Sequence, residues 1–304
     1  MRGKNKMKLG YIGLGKMGFN MVGRLLEKSY EVVVFDRDEQ AVKNISLKGA
    51  KPAGSLKVLS STLKKPTLIW LMVPHQAVDA VLDGLTPFLR SGDTVIDGGN
   101  SPYKESVRRS TELGKKGIDF LDVGVSGGPG GARNGACIMV GGKKEIFEKY
   151  ENLFQDLSVR GGYGYMGKSG AGHFVKMVHN GIEYGMMQAL AEGFTIIEAS
   201  PFDLDLIKVA GIYDHGSVIE SRLVGWLKRA FEKYGKDLDK ISGSVSHSGE
   251  GLWTVDAAKE FGVRVPVIEE ALNFRIESQK NPGYTGQIIS ALRNQFGGHE
   301  VFDK

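Results

Sequence analysis

The sequence predicts an α/β domain built on a doubly wound sheet over residues 1–168, followed by an all-α domain over residues 169–304. Three observations predict it. Short apolar stretches alternate with amphipathic ones through the first half, the pattern of a parallel sheet with helices on both faces. Gly13-Leu14-Gly15-Lys16-Met17-Gly18 follows the first apolar stretch and opens the first amphipathic one. After Lys168 the alternation stops and helical periodicity takes over.

Lys8–Ile12 reads as the first strand, with a helix running from the glycine segment to about Lys28. Glu31–Asp36 is a second strand and Gln40–Lys48 a second helix. Thr67–Val73 and Thr94–Asp97 are apolar strands separated by a helix over Gln76–Leu85. Tyr103–Lys116 is helical, Asp119–Val123 a strand, and Cys137–Gly141 and Val159–Tyr165 extend the sheet. Ala171–Ala199 holds no proline and no turn dipeptide, so it reads as one long helix ended by Ser200-Pro201. Apolar and small residues run almost all round it, which predicts that most of it is buried. Helices follow over Leu204–Tyr213, Ser217–Tyr234, Thr254–Phe261 and Val267–Lys280, and Gly286–Lys304 is a short helix with a polar tail.

The 304 residues are 41% hydrophobic and 25% charged, an ordinary globular composition. No apolar run approaches the roughly 20 residues of a membrane span, and the first residues lack the apolar core of a signal peptide. The one cysteine, Cys137, excludes an internal disulfide and suits a cytoplasmic setting. Within Ala-Cys-Ile-Met-Val it reads as part of a buried strand. A formal charge of +5 without basic runs excludes nucleic acid as the expected partner and suits a small polyanion. The six histidines show no metal-ligand spacing.

Gly13, Gly15 and Gly18 form Gly-x-Gly-x-x-Gly between a strand and a helix, and Asp36 ends the next strand. Together these predict a Rossmann-type dinucleotide site with the pyrophosphate at the helix N-terminus. Asp36 is placed to accept the ribose hydroxyls and repel a 2′-phosphate, which favours NAD. Arg37 can pair with that extra phosphate, so NADP stays open. Val73-Pro74-His75 closes a strand on the ligand side and is expected to line the adenosine.

The segment Gly170 to Tyr184 carries the chemistry. At 100° per residue, Lys176, His179, Asn180, Glu183 and Tyr184 fall within an arc of about 140°. An amine, an imidazole, an amide, a carboxylate and a phenol thus share one helix face, after a glycine pair that permits close approach.

His173-Phe174-Val175-Lys176-Met177-Val178-His179-Asn180-Gly181-Ile182-Glu183-Tyr184 resembles the decarboxylating 6-phosphogluconate dehydrogenases, among the β-hydroxyacid dehydrogenases. So do Asp97-Gly98-Gly99-Asn100-Ser101, Val125-Ser126-Gly127-Gly128, Gly249-Glu250-Gly251-Leu252-Trp253-Thr254 and Phe296-Gly297-Gly298-His299. The length is similar to the short form of that enzyme. The resemblance implies oxidation of a phosphorylated sugar acid at C3, loss of CO2, and tautomerisation to ribulose 5-phosphate. It implies Lys176 as general base and Glu183 as general acid. Asn100, Ser126, Gly127, Gly128, His179 and Asn180 would surround the sugar acid and nicotinamide. Tyr184, Arg275, Arg293 and His299 would complete the substrate site, the tyrosine and arginines chiefly at the phosphate. It also implies a homodimer or homotetramer whose C-terminal tail reaches a neighbouring subunit.

The chemistry asks for the same residue types. A lysine takes a hydroxyl proton only when neutral, so its pKa must be lowered by burial or positive neighbours. Once protonated it polarises the new carbonyl, and no metal is required. Arginine is the natural phosphate partner. The chain departs from the family at Ser248, where long members carry a substrate-binding lysine, and at Leu252 and Glu220, where basic residues are common. Two other functions remain open: a non-decarboxylating β-hydroxyacid dehydrogenase of the 3-hydroxyisobutyrate or tartronate-semialdehyde type, and a catalytically inactive cofactor-binding regulator.

Overall fold

The computed structural model describes residues 7–247 and 249–301, and these fall into two compact units divided between Lys176 and Met177. In the first, β1 (Lys8–Ile12), β2 (Glu31–Phe35), β3 (Lys51–Pro52), β4 (Leu68–Leu71), β5 (Thr94–Asp97), β6 (Asp119–Ser126), β7 (Ala136–Gly142) and β8 (Ser158–Gly167) form one sheet, ordered β3-β2-β1-β4-β5-β6-β7-β8. The order reverses beside β1, between the β2 and β4 sides, and such a switch point is where open α/β sheets bind ligands. Helices α1 (Lys16–Glu27), α2 (Glu39–Ser46), α3 (Leu56–Thr62), α4 (His75–Leu85), α5 (Tyr103–Gly114), α6 (Gly128–Asn134), α7 (Lys144–Lys149) and α8 (Glu151–Leu157) alternate with the strands.

Val32 and Val34 of β2 pack in one apolar core while Val33 packs in another. The sheet is therefore buried on both faces, which explains why its strands read as continuous apolar runs. It is not wholly parallel, because β7 runs antiparallel to β6. Cys137 is exposed on β7 rather than buried, since strand alternation turns its neighbours Ala136 and Ile138 inward. Helix α6 escapes sequence reading because Gly-Pro-Gly-Gly has poor helix propensity.

Helix α9 (Ala171–Glu198) crosses the division between the units. The second unit adds α10 (Leu206–Tyr213), α11 (Arg222–Tyr234), α12 (Glu250–Glu260), α13 (Pro266–Ser278) and α14 (Tyr284–Gly297). Helix α11 starts later than its periodicity suggests because Ser221 caps it, accepting from Val224 N at 3.3 Å. Just before it, the Glu220 carboxylate accepts from Gly216 N at 2.7 Å, which accounts for an acid at that position. The main core of this unit gathers Phe194, Leu227, Phe231, Ile288 and Leu292. Most of α9 is buried or half-buried, as its composition predicts, but Ile182, Met186 and Ile196 form an exposed apolar row on it. The last described residue, Val301, is buried and accepts from Ser242 N at 2.6 Å, tying that end of the chain to its own unit.

Candidate active site

The three fingerprint glycines do three different things. Gly13 has φ +101°, and a Cβ there would run into the Met72 carbonyl at the end of β4. Gly18 admits no Cβ because the Gly13 carbonyl lies against it. Gly15 alone faces open space, with nothing within 4 Å of a Cβ position. The first and third glycines thus close the turn and seat α1, leaving bare backbone at Gly15 for an anion at the helix N-terminus. Lys16 is exposed beside it, whereas Met17 is half-buried and packs against the core.

A groove of about 290 Å³ runs from this turn along the ends of β1, β2 and β4. Leu14, Gly15, Asp36, Arg37, Val73 and Pro74 line it. Asp36 accepts from Leu14 N at 2.5 Å and from Asp38 N at 2.8 Å, which fixes the carboxylate at the groove wall with acceptor capacity to spare. These residues fit a dinucleotide: bare backbone for the pyrophosphate, an acid for the ribose, and apolar walls for the base. His75 does not line this groove; it is the first residue of α4, and its carbonyl accepts from Arg109. Sequence reading missed Asp38, which lines the groove and caps α2 by accepting from Gln40 N and Ala41 N. An aspartate just before a helical run was the available signal.

Farther along the same strand ends, Asn100 is exposed just past β5, Ser126 ends β6, and Gly127 and Gly128 take φ +121° and +62° to turn into α6. The start of α9 is pinned to this sheet. Asp122 is wholly buried on β6 and accepts from Gly170 N at 2.7 Å and His173 N at 2.9 Å. A Cβ on Gly172 would strike the Asp122 and Met139 carbonyls. The close approach that the glycine pair permits is therefore to the protein's own strands. Lys176, 8% exposed, lays its stem against Gly124 of β6, where a Cβ would collide with it. Asp122 was missed too, although an acid inside an apolar strand is itself a signal.

The second unit gathers Glu183, Tyr184, Arg275 and Arg293. The Arg275 guanidinium stacks on the Tyr184 ring at 3.3 Å, and its Nη2 lies 3.8 Å from Met187 Sδ. Arg293 Nη1 donates to Ser246 Oγ at 3.3 Å. Arg275 and Arg293 are only 2% and 8% exposed, yet among the described residues neither has a carboxylate within 4.0 Å. Burial pushes the Arg275 guanidinium down to about 10, opposed by Tyr184 and reinforced by the Arg293 charge. Burial lowers Arg293 as well, offset by Tyr184, Glu250 and Glu183. Arginine stays a cation at neutral pH, so two buried positive charges share one region with no carboxylate within 4.0 Å among the described residues. Glu250, 4% exposed in the first turn of α12, belongs to the same cluster and was not anticipated.

His179 and Asn180 are half-buried, with His179 Nδ1 3.0 Å from Asn180 Oδ1 and 3.9 Å from Glu183 Oε2. His299 does not join the arginines in the interior. It is exposed past the end of α14, its ring edge-on to Phe296 at 6.5 Å. Ser248 lies outside the described residues.

Comparison with known proteins follows the same division. Residues 8–167 match the family described as the NAD binding domain of 6-phosphogluconate dehydrogenase, and residues 172–283 match the C-terminal domain of that enzyme. A Bacillus subtilis protein that bears the 6-phosphogluconate dehydrogenase name provisionally is 49% identical over 98% of this chain and 100% of its own length. The NAD(+)-dependent, decarboxylating 6-phosphogluconate dehydrogenase of Haloferax volcanii is 43% identical over 98% of this chain and 99% of its own. The solved Plasmodium falciparum 6-phosphogluconate dehydrogenase superposes with a TM-score of 0.80 at 29% identity. That match covers 90% of this chain and 62% of the longer one.

Proposed function

The chain belongs to the 6-phosphogluconate dehydrogenase family, and on that premise we propose that it oxidises 6-phosphogluconate with NAD, releasing CO2 and ribulose 5-phosphate. One observation carries the substrate class: two buried arginines with no carboxylate within 4.0 Å among the described residues. Burying a lone cation is costly, and an anionic ligand offsets that cost. A phosphate dianion matches the charge of the pair and the fork of each guanidinium.

Lys176 acts first. Held against Gly124 at the end of the first unit, it takes the C3 hydroxyl proton as the C3 hydride departs. The nicotinamide, when bound, supplies the hydride acceptor. The proton on Lys176 then hydrogen-bonds the new C3 carbonyl, which draws in the electron pair released when the C1 carboxylate leaves as CO2. Glu183 acts last, delivering a proton to the enediol carbon that carried the carboxylate. Asn180 and His179, beside Glu183 on α9, hold the sugar acid, with Asn100, Ser126 and the Gly127–Gly128 turn on the nicotinamide side.

Asp36 and Asp38 together support a preference for NAD, because a 2′-phosphate in the groove would face two carboxylates against one cation, Arg37. Purified protein supplied with 6-phosphogluconate and NAD should form NADH and CO2 in equal amounts, and no turnover with either nicotinamide cofactor rejects the proposal. The same assay with NADP, repeated on Asp36→Ala, tests the preference; if the unmodified protein already favours NADP, the role given to Asp36 is wrong. The exposed row of Ile182, Met186 and Ile196 supports a homo-oligomer, and a monomeric mass by light scattering would count against it.

A further inference from the structure

The loops that follow β4 and β5 are tied together from behind by one side chain. Arg109, on α5 and 3% exposed, donates from Nε to Asp79 Oδ1 at 2.8 Å. Its Nη2 reaches Asp79 Oδ2 at 3.2 Å and the His75 carbonyl at 3.4 Å. On the other side, Nη1 lies 3.5 Å from Asp97 Oδ2, a contact of charge rather than a directed hydrogen bond. Asp97 is wholly buried and accepts from Gly99 N at 3.1 Å and Ser101 Oγ at 2.7 Å. Asn100 is therefore flanked by two residues that hang on one carboxylate. The loops also touch directly, since a Cβ on Gly99 would lie 2.6 Å from the Val73 carbonyl.

We propose that Arg109 and Asp97 form a positioning clasp, setting the Val73–His75 loop against the Gly98–Ser101 loop and so fixing where Asn100 meets the nicotinamide half of the cofactor. This rests on the placing of Asn100 at the nicotinamide in the proposed reaction. Neither clasp residue touches a reacting atom; both act through the loops they hold. Only a guanidinium serves, because its planar fork faces Asp79, the His75 carbonyl and Asp97 at once, and a lysine ammonium cannot span all three. Asp79 is a dependable anchor: its hydrogen bond with Arg109, helped by Arg108, holds its carboxyl down to about 2. At the adenosine end Gly15, Asp36 and Asp38 stand apart from the clasp, whereas Val73 and Pro74 lie on the loop that Arg109 holds; the Ser101 bond to Asp97 belongs to the other loop alone.

That separation gives the test. Full-length wild type, Ser101→Ala and Arg109→Lys are compared by calorimetric affinity for ADP-ribose, which keeps the adenosine and pyrophosphate but lacks the nicotinamide. They are also compared by affinity for NADH, by the emission of bound NADH, and by kcat with 6-phosphogluconate. In Ser101→Ala, ADP-ribose affinity should stay within about twofold of wild type, since the Val73–His75 loop keeps its bonds. Ser101→Ala should weaken NADH by about fivefold, the worth of one hydrogen bond, and shift its emission toward the free value. Arg109→Lys should lower kcat by about tenfold to a hundredfold, the scale on which displacements near 1 Å act. The clasp is overturned if ADP-ribose and NADH weaken in parallel in Ser101→Ala, or if only the melting temperature falls in either variant. Absence of wild-type turnover would instead reject the proposed reaction, and the NADH to ADP-ribose comparison would still decide the clasp.

Discussion

Arg109 and Arg275 are buried almost equally, 3% and 2% exposed, and they live in opposite electrostatic worlds. Arg109 sits among carboxylates, with Asp79 and Asp97 on two sides. Arg275 sits on an aromatic face, with Met187 and a second arginine nearby and no carboxylate within 4.0 Å among the described residues. A paired buried charge is part of the scaffold. One without a close carboxylate among the described residues suits the proposed phosphate site, and the second unit holds two.

Substitution by methionine should break the symmetry most visibly in stability. Arg109→Met leaves Asp97 buried without its cation and should cost about 3–5 kcal/mol in denaturant unfolding. Arg275→Met removes a penalised charge and should leave stability unchanged or higher; an equal loss in both variants would erase the distinction. Substrate binding should show the reverse. Arg275→Met should weaken 6-phosphogluconate by about 1.5–3 kcal/mol, read as a rise in KM, while an unphosphorylated sugar acid is little affected. An equal effect on both acids would favour a non-decarboxylating β-hydroxyacid dehydrogenase.

A smaller effect sharpens the comparison without any substrate. Inorganic phosphate at about ten times its Kd should stabilise wild type by about 1.4 kcal/mol in thermal melts, and Arg275→Met should lose that response. The smallest lies at low pH. Asp79 falls from an ordinary 3.8 to about 2 in the folded state, chiefly through its hydrogen bond with Arg109. Its contribution is complete above pH 3.8 and is lost as the pH drops through 2, because the unfolded chain then binds the proton first. Arg109→Met should flatten acid unfolding in that window, measured by circular dichroism.

The parts of this molecule legible in its sequence are those governed by local rules. The strand, glycine turn and helix around Gly13–Gly18, and the long helix with Lys176 and Glu183, follow from periodicity and from a motif whose spacing is backbone geometry. Other features needed the third dimension. The antiparallel turn of β7 depends on how Gly-Pro-Gly-Gly folds, and helix propensity points the wrong way there. The exposure of Cys137 depends on strand phase, which an apolar five-residue window does not reveal. Arginines were recognised at 275 and 293, but whether a carboxylate would reach them is a question of packing. Asp97, Asp122 and Arg109 were visible as charges in apolar strands or on helix faces, yet their partners lie on other elements.

Helix α9 has one more consequence, for how this chain tolerates changes of length. Its first turn is locked in phase by Asp122 and Gly172, and it carries Lys176 in one unit and Glu183 in the other. A helix is a screw, so one residue inserted between them would rotate Glu183 by about 100° and advance it by about 1.5 Å. Seven inserted residues would nearly restore the angle but lengthen the rod by about 10 Å. No small insertion restores both angle and distance along α9, so if Lys176 and Glu183 serve one substrate as proposed, an insertion between them should abolish turnover while one in a loop is tolerated.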